Sequence, residues 1–140
     1  MRYLLDSVAI SDRTRSASDR GLADWLSKRH SEDLATSVIC IAELRRGISL
    51  LPPSRRRDIL EHWFADDILR RFGERILPVD REVVLRWGEL HARLSLAGRP
   101  LPIFDSLIAA TALVHGLAVV TRNERDFAAA GVDIINPWTG

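Results

Sequence analysis

Four acidic residues stand where acids are costly. Asp6 closes the short apolar run Tyr3-Leu4-Leu5. Glu43 lies between Ala42 and Leu44 in an amphipathic stretch. Asp105 stands between Phe104 and Ser106, just before Leu107-Ile108-Ala109-Ala110. Asp126 shortly follows the apolar run Leu117–Thr121 and precedes Phe127. A carboxylate held among apolar neighbours must be paired, hydrogen-bonded or bound to a cation. Several brought together repel one another unless a cation offsets their charge. A donor set of oxygens alone, without His or Cys, favours hard cations such as Mg²⁺ or Mn²⁺. One or two such ions lower the pKa of a bound water and steady the charge of a reacting phosphate, which is the chemistry of phosphodiester hydrolysis. Each acid also has a purely structural reading. Asp6 could cap a turn, Asp105 and Asp126 could cap helices, and Glu43 could pair with Arg45 or Arg46.

Other residue types offer less. His30, His62, His91 and His115 show no paired spacing, which argues against a histidine metal site. Cys40 is the single cysteine. It can form no intramolecular disulfide, and within Val38-Ile39-Cys40-Ile41-Ala42 it reads as buried filler consistent with a reducing cytoplasm. The four Trp residues fall mostly in amphipathic stretches and suit core or dimer contacts. Arg55-Arg56-Arg57 opens a helix and is either a solvated face or a phosphate-tracking patch.

The elements that must position the four acids follow from periodicity. Tyr3–Leu5 is a buried strand, followed by a polar loop from Ser11 to Ser18. Asp19 caps a helix to about Arg29. Leu34–Ser37 forms a second strand, and a helix runs from about Val38 to Leu50 until Pro52-Pro53 breaks it. Ser54 opens a third helix, with Ile59, Leu60, Trp63, Phe64 and Ile68 on its apolar face, ended by Gly73. Ile76–Val79 is a short strand or extended link. Val83, Val84, Trp87, Leu90 and Leu94 mark a fourth helix. Asp105 begins a fifth that runs to about His115, where Gly116 stops it. Leu117–Thr121 is the clearest strand, a short helix holds Phe127–Ala129, and Asp133–Asn136 is a last strand. Alternating strands and helices predict one α/β domain spanning residues 1–140, with a mainly parallel sheet flanked by helices. Asp6 and Asp126 then fall just past the carboxyl ends of strands, where ligand sites of such sheets gather.

Length and charge are consistent with this. The 140 residues suit one domain, and 46% hydrophobic residues suffice for one core. Twenty basic residues against nineteen acidic give a net charge of +1, which argues against a general DNA-coating protein but leaves room for a local basic rim. No apolar run approaches a bilayer-spanning length, and the N-terminus carries no signal peptide, so a cytoplasmic location is expected.

The blocks carrying these acids resemble those of PIN-domain proteins. Tyr3-Leu4-Leu5-Asp6-Ser7 is similar to the family's opening strand and first acid. Ile41-Ala42-Glu43-Leu44-Arg45-Arg46-Gly47 is similar to its second-acid helix, and Asp105-Ser106-Leu107-Ile108-Ala109-Ala110-Thr111-Ala112 to its third. Val119 to Phe127 resembles the fourth segment, and Asn136-Pro137-Trp138 the tail of VapC-type toxins. The resemblance implies a metal-dependent endoribonuclease toxin, held in check by a cognate antitoxin and assembled as a homodimer. It implies Mg²⁺ or Mn²⁺ held by Asp6, Glu43, Asp105 and an acid of the fourth segment, here Asp126, with a metal-bound water attacking RNA. Ser7, Thr121 and Asn123 would contact substrate or support the acids. Two positions depart from the family pattern. Val8 stands where an Asn is usual, and Asn123 where an Asp is frequent. These departures keep open a non-catalytic or weakly active RNA- or protein-binding module, and the same acids would serve a structure-specific DNA nuclease.

Overall fold

The computed structural model describes residues 1–12 and 19–139. Strands β1 (Tyr3–Leu5), β2 (Leu34–Ser37), β3 (Ile76–Leu77), β4 (Ala118–Val120) and β5 (Ile134–Ile135) form one sheet in the order β3-β2-β1-β4-β5. Every pairing is parallel. The α-helices are α1 (Ser7–Asp12), α2 (Arg20–Ser27), α3 (Val38–Ser49), α4 (Arg55–Trp63), α5 (Arg81–Leu96), α6 (Ile103–His115) and α7 (Glu124–Ala129).

Parallel strands need crossovers, and the crossovers here cover both faces of the sheet. Successive side chains of a strand point to opposite faces. Leu4 and Val119 therefore join one buried cluster with Val83, Leu90 and Leu94 of α5, Ile108 and Ala109 of α6, and Phe127 of α7. Leu5 and Val120 join the other, with Ala9 and Ile10 of α1, Leu22 of α2, Leu44 and Ile48 of α3, and Phe64 and Ile68. Removing one such leucine would cost about 2–5 kcal/mol, so the strand ends are held firmly in place.

Three elements differ from the sequence reading. The chain after Asp6 is helical from Ser7 to Asp12, so α1 covers the start of the expected loop from Ser11. The remainder of that expected loop, residues 13–18, lies outside the described residues. The helix expected to begin at Asp105 starts at Ile103 with Pro102 as its N-cap, which puts Asp105 inside the first turn. The third helix changes to π-helical hydrogen bonding from Phe64 to Arg70, with Phe64 and Ile68 both buried as expected. Gly116 ends α6 at φ 65°, ψ 36°, a left-handed conformation that favours glycine. No helix among the described residues is long and apolar enough to cross a membrane.

Candidate functional site

The sheet order fixes where a site can form. From β1 the chain crosses to β2 on one side, whereas from β4 it crosses to β5 on the other. The gap between β1 and β4 is therefore the topological switch point, where helices leave on opposite faces and open a crevice beyond the carboxyl ends of the strands. Leu5 and Val120 are register partners, so Asp6 and Thr121 emerge side by side at this crevice.

Asp6 is held from three directions. Its backbone N–H donates to the Val120 carbonyl at 3.2 Å. Its Oδ1 accepts the Ala9 N–H at 2.8 Å, which caps α1. The buried Thr121 hydroxyl donates to its carboxylate. Burial is the largest influence on Asp6 and pushes its pKa above the ordinary 3.8. The hydrogen bonds from Thr121 and Ala9 oppose this, while the charges of Asp105 and Asp12 add to it.

Glu43 projects from α3, whose first turn is capped by the Ser37 hydroxyl accepting from the Ile39 N–H. Burial raises its pKa first, and the charges of Asp105 and Asp6 raise it further. The Ser7 hydroxyl, donating to Oε1 at 3.3 Å, acts in the opposite direction. The alternative reading of Glu43 as the partner of Arg45 does not hold. Arg45 pairs with Glu61 at 2.7 Å, across the surface to α4. Asp105 is half-buried in the first turn of α6, and burial followed by the Asp126 charge raises its pKa. It does not cap α6, whose N-cap has no side-chain hydrogen bond. Asp126, in the first turn of α7, accepts a hydrogen bond from the Asn123 side-chain amide at 3.0 Å.

Asp6, Glu43 and Asp105 are thus within electrostatic reach of one another, and Asp126 within reach of Asp105. Among the described residues, none of the four has an ion-pair partner. The basic side chains pair with Asp24, Glu61, Asp67 and Asp12 instead. The three supporting residues also have defined places. Ser7 steadies Glu43, Thr121 links Asp6 to the Asn123 N–H that its hydroxyl oxygen accepts at 3.0 Å, and Asn123 holds Asp126.

One acid was missed by the sequence reading. Asp12, the last residue of α1, is buried, accepts from the Trp138 indole N–H at 3.0 Å, and lies 4.0 Å from Arg122. Its charge reaches Asp6. In the sequence it falls in a polar stretch, and nothing local in Ser7–Asp12 marks it as buried.

The donor set fits a hard divalent cation in type, being all carboxylate oxygen, partly desolvated and without a basic counter-charge. Among the described residues, no three such side chains stand close enough together to grip an ion as they are. One cavity of about 680 Å³ lies elsewhere, between α4, the π-helical turn and β2, and none of the four acids lines it. A smaller one of about 280 Å³ adjoins the acids and includes Ser7 and Glu43 in its wall.

Residues 3–132 match the family model for the PIN domain. The VapC ribonuclease Y4jK of Sinorhizobium fredii is 36% identical over 135 residues, covering 96% of each chain. The toxin FitB of Neisseria gonorrhoeae is also 36% identical over 135 residues, covering 96% of this chain and 97% of its own. The crystal structure of FitAcB from Neisseria gonorrhoeae aligns with a TM-score of 0.92 at 35% identity, over 97% of this chain and 98% of that chain. A member of the VapBC family of toxin-antitoxin systems from Mycobacterium tuberculosis, VapBC-5, aligns with a TM-score of 0.60 at 32% identity, over 74% of this chain and 81% of that one.

Proposed function

Since this chain belongs to the PIN-domain family, we propose that it is the toxin of a toxin-antitoxin pair and a divalent-metal-dependent endoribonuclease acting at the crevice between β1 and β4. The observation that carries the reading is the set of mutually repelling carboxylates Asp6, Glu43 and Asp105, desolvated at a switch point and lacking any basic partner among the described residues. A structural role would have been served by pairing them. Leaving them unpaired costs stability, and that cost is offset when a cation binds.

Asp6, Glu43, Asp105 and Asp126 would hold Mg²⁺ or Mn²⁺. Bound there, the ion would supply a water of lowered pKa and a positive charge facing the reacting phosphate. The residues of the chain do the rest. Thr121 fixes the Asp6 carboxylate, Ser7 orients Glu43, and the Asn123 amide sets the Asp126 carboxylate. The neutral amide of Asn123 adds no fifth charge to the cluster, and it leaves Asp126 as the acid contributed by the fourth segment.

A relative that is a toxin and another from a toxin-antitoxin system support an antitoxin as partner. A cognate antitoxin is the counterpart of the toxin reading. Val84, Leu85, Ile103 and Phe104 are exposed apolar residues on α5 and α6, and we assign them to contact with a second copy of the chain. The decisive experiment incubates purified protein with single-stranded RNA in Mn²⁺, in Mg²⁺ and in chelator, with a DNA strand of the same sequence alongside. Cleavage of RNA alone, abolished by chelator and by Asp105→Asn, supports the reading. Cleavage of DNA in preference, or RNA cleavage unaffected by chelator, overturns it.

A further inference from the structure

The cavity of about 280 Å³ beside the acid cluster is lined by Ser7, Val8, Glu43, Gly47, Arg56 and Trp63, among others. Three features of its wall need an explanation that the fold does not provide. The first is Gly47. It lies in the last turn of α3, two residues before the helix ends at Ser49, where almost any other side chain would favour the helix more. Its φ is not positive, and a Cβ built on it would meet nothing within 4 Å. Neither conformation nor packing within the chain requires a glycine, so its remaining physical use is to let something outside the chain approach the helix closely. The second is Val8, an apolar side chain 41% exposed immediately beside Ser7, which lines the same cavity as the half-buried Trp63. The third is Arg56, exposed and without a carboxylate partner among the described residues, although its neighbour Arg57 and Arg45 of α3 both reach Glu61.

We propose that this cavity is the subsite for the base of a nucleotide flanking the phosphate that the acid cluster addresses, with Arg56 receiving a neighbouring phosphate. The inference rests on the nuclease reading and names what that site holds next to the scissile bond. Ser7 and Glu43 belong to both the cluster and the cavity, so a strand engaged at one necessarily passes the other. The volume lies just below the usual range of small-ligand pockets, roughly 300–1,000 Å³, and suits one planar ring system. Apolar walls with an aromatic side chain suit the face of a base, and a free guanidinium suits a phosphate. Gly47 keeps the floor low enough for the base to enter.

The test uses the intact protein and a labelled decamer of single-stranded RNA. Binding is read by fluorescence anisotropy in Ca²⁺ at fixed salt, and cleavage is read separately in Mn²⁺. Gly47→Leu fills the cavity and should weaken binding by about tenfold or more, the scale of losing one stacked base. Gly47→Ala should weaken it less. Both variants should melt at or above the wild-type temperature, because the added atoms enter open space. Decamers with one abasic nucleotide provide the specific readout. Wild type should lose about tenfold at one position, and Gly47→Leu should show no such position. Arg56→Gln should lower the slope of log affinity against log salt by about one. If Gly47→Leu binds as wild type and keeps the same abasic-sensitive position, the subsite is wrong. It is equally wrong if Gly47→Leu keeps RNA binding but loses inhibition by the cognate antitoxin, since the cavity would then take protein. Wild type that shows the abasic position but cleaves nothing in Mn²⁺ overturns the nuclease reading and leaves the subsite standing. Wild type that binds no RNA overturns both.

Discussion

Replacing Asp105 by Asn should make the protein more stable without a divalent cation and less stable with one. Asp105 lies under the charges of Asp126, Glu43 and Asp6, and it is half-buried. Two like charges at close range repel by about 1 kcal/mol in water and about 4 kcal/mol near a protein surface. Solvent screening of these partly exposed groups reduces each contact to roughly 0.5 kcal/mol, so three contacts amount to about 1.5 kcal/mol. Against this, Asp105 sits in the first turn of α6, where a negative charge gains about 0.3–1 kcal/mol from the helix dipole. The net gain for Asp105→Asn in chelator is therefore about 0.5–1 kcal/mol. For a chain of this length that is a rise in melting temperature of roughly 2–4 °C. A cation at a hundred times its Kd stabilises wild type by about 2.7 kcal/mol. The mutant should lose most of that, so the order of the two melting temperatures reverses on adding Mn²⁺. The pH dependence has the matching sign. The folded-state pKa values of Asp6, Glu43 and Asp105 are raised above their ordinary values of 3.8, 4.5 and 3.8. Their contribution to stability in chelator is thus fully present below those values and is lost as pH rises through the elevated ones. Calorimetric melts of both proteins in chelator and in Mn²⁺, from pH 3.5 to 7.5, measure all of this. A mutant that melts below wild type in chelator, or that responds to Mn²⁺ as wild type does, refutes the reasoning.

Thr121→Val should cost about 2–4 kcal/mol, because it strips a charge-assisted donor from Asp6 and leaves the Asn123 N–H without its acceptor. Thr121→Ser should recover most of that loss in a denaturant melt and restore any lost activity. Gly21→Ala places a Cβ 2.2 Å from the Pro137 carbonyl oxygen, so the C-terminal turn must move off α2, at a cost of roughly 1–3 kcal/mol. Limited proteolysis of that variant should show earlier cleavage near the C-terminus than in wild type. Cys40 is fully buried, with its thiol pushed up to about 12 chiefly by burial, so a thiol reagent at pH 8 should label it only as fast as the protein unfolds.

The sequence conveyed the strands and the acids better than the helix starts, and for a physical reason. A strand buried on both faces has to be a continuous apolar run, so Tyr3–Leu5 and Leu117–Val120 stand out, and the residue after each falls at the sheet edge. Helix α1 leaves no comparable mark, since six residues with Ala9 and Ile10 turned inward give little more than one period. Its cap is Asp6, whose apolar setting in the sequence points to chemistry and not to a helix start. Asp105 was misplaced relative to its helix because Pro102 supplies a start without a side-chain cap, so nothing polar marks Ile103 as the beginning. The π-helical turn at Phe64–Arg70 was invisible for a similar reason. Phe64 and Ile68 are four apart, a spacing that fits an α-helix equally well.

What periodicity could not convey is how the acids relate to one another, because that depends on crossover direction and not on local pattern. With β1 at the centre of the order β3-β2-β1-β4-β5, only β4 can bring a second strand end beside Asp6 while its following helix departs on the other side. The segment after β4 then has to supply two things at once: a donor that fixes Asp6 and an acid that faces Asp105. Thr121 and Asp126 divide these tasks, and Asn123 connects them by donating its backbone N–H to Thr121 and its side-chain amide to Asp126. An Asp at this position would keep the first bond but replace the second with repulsion between two carboxylates. The amide therefore makes Asp126 dependable as an oriented acid even when no cation is present. It does so at the expense of one negative charge, which lowers the pull of the whole cluster on a cation.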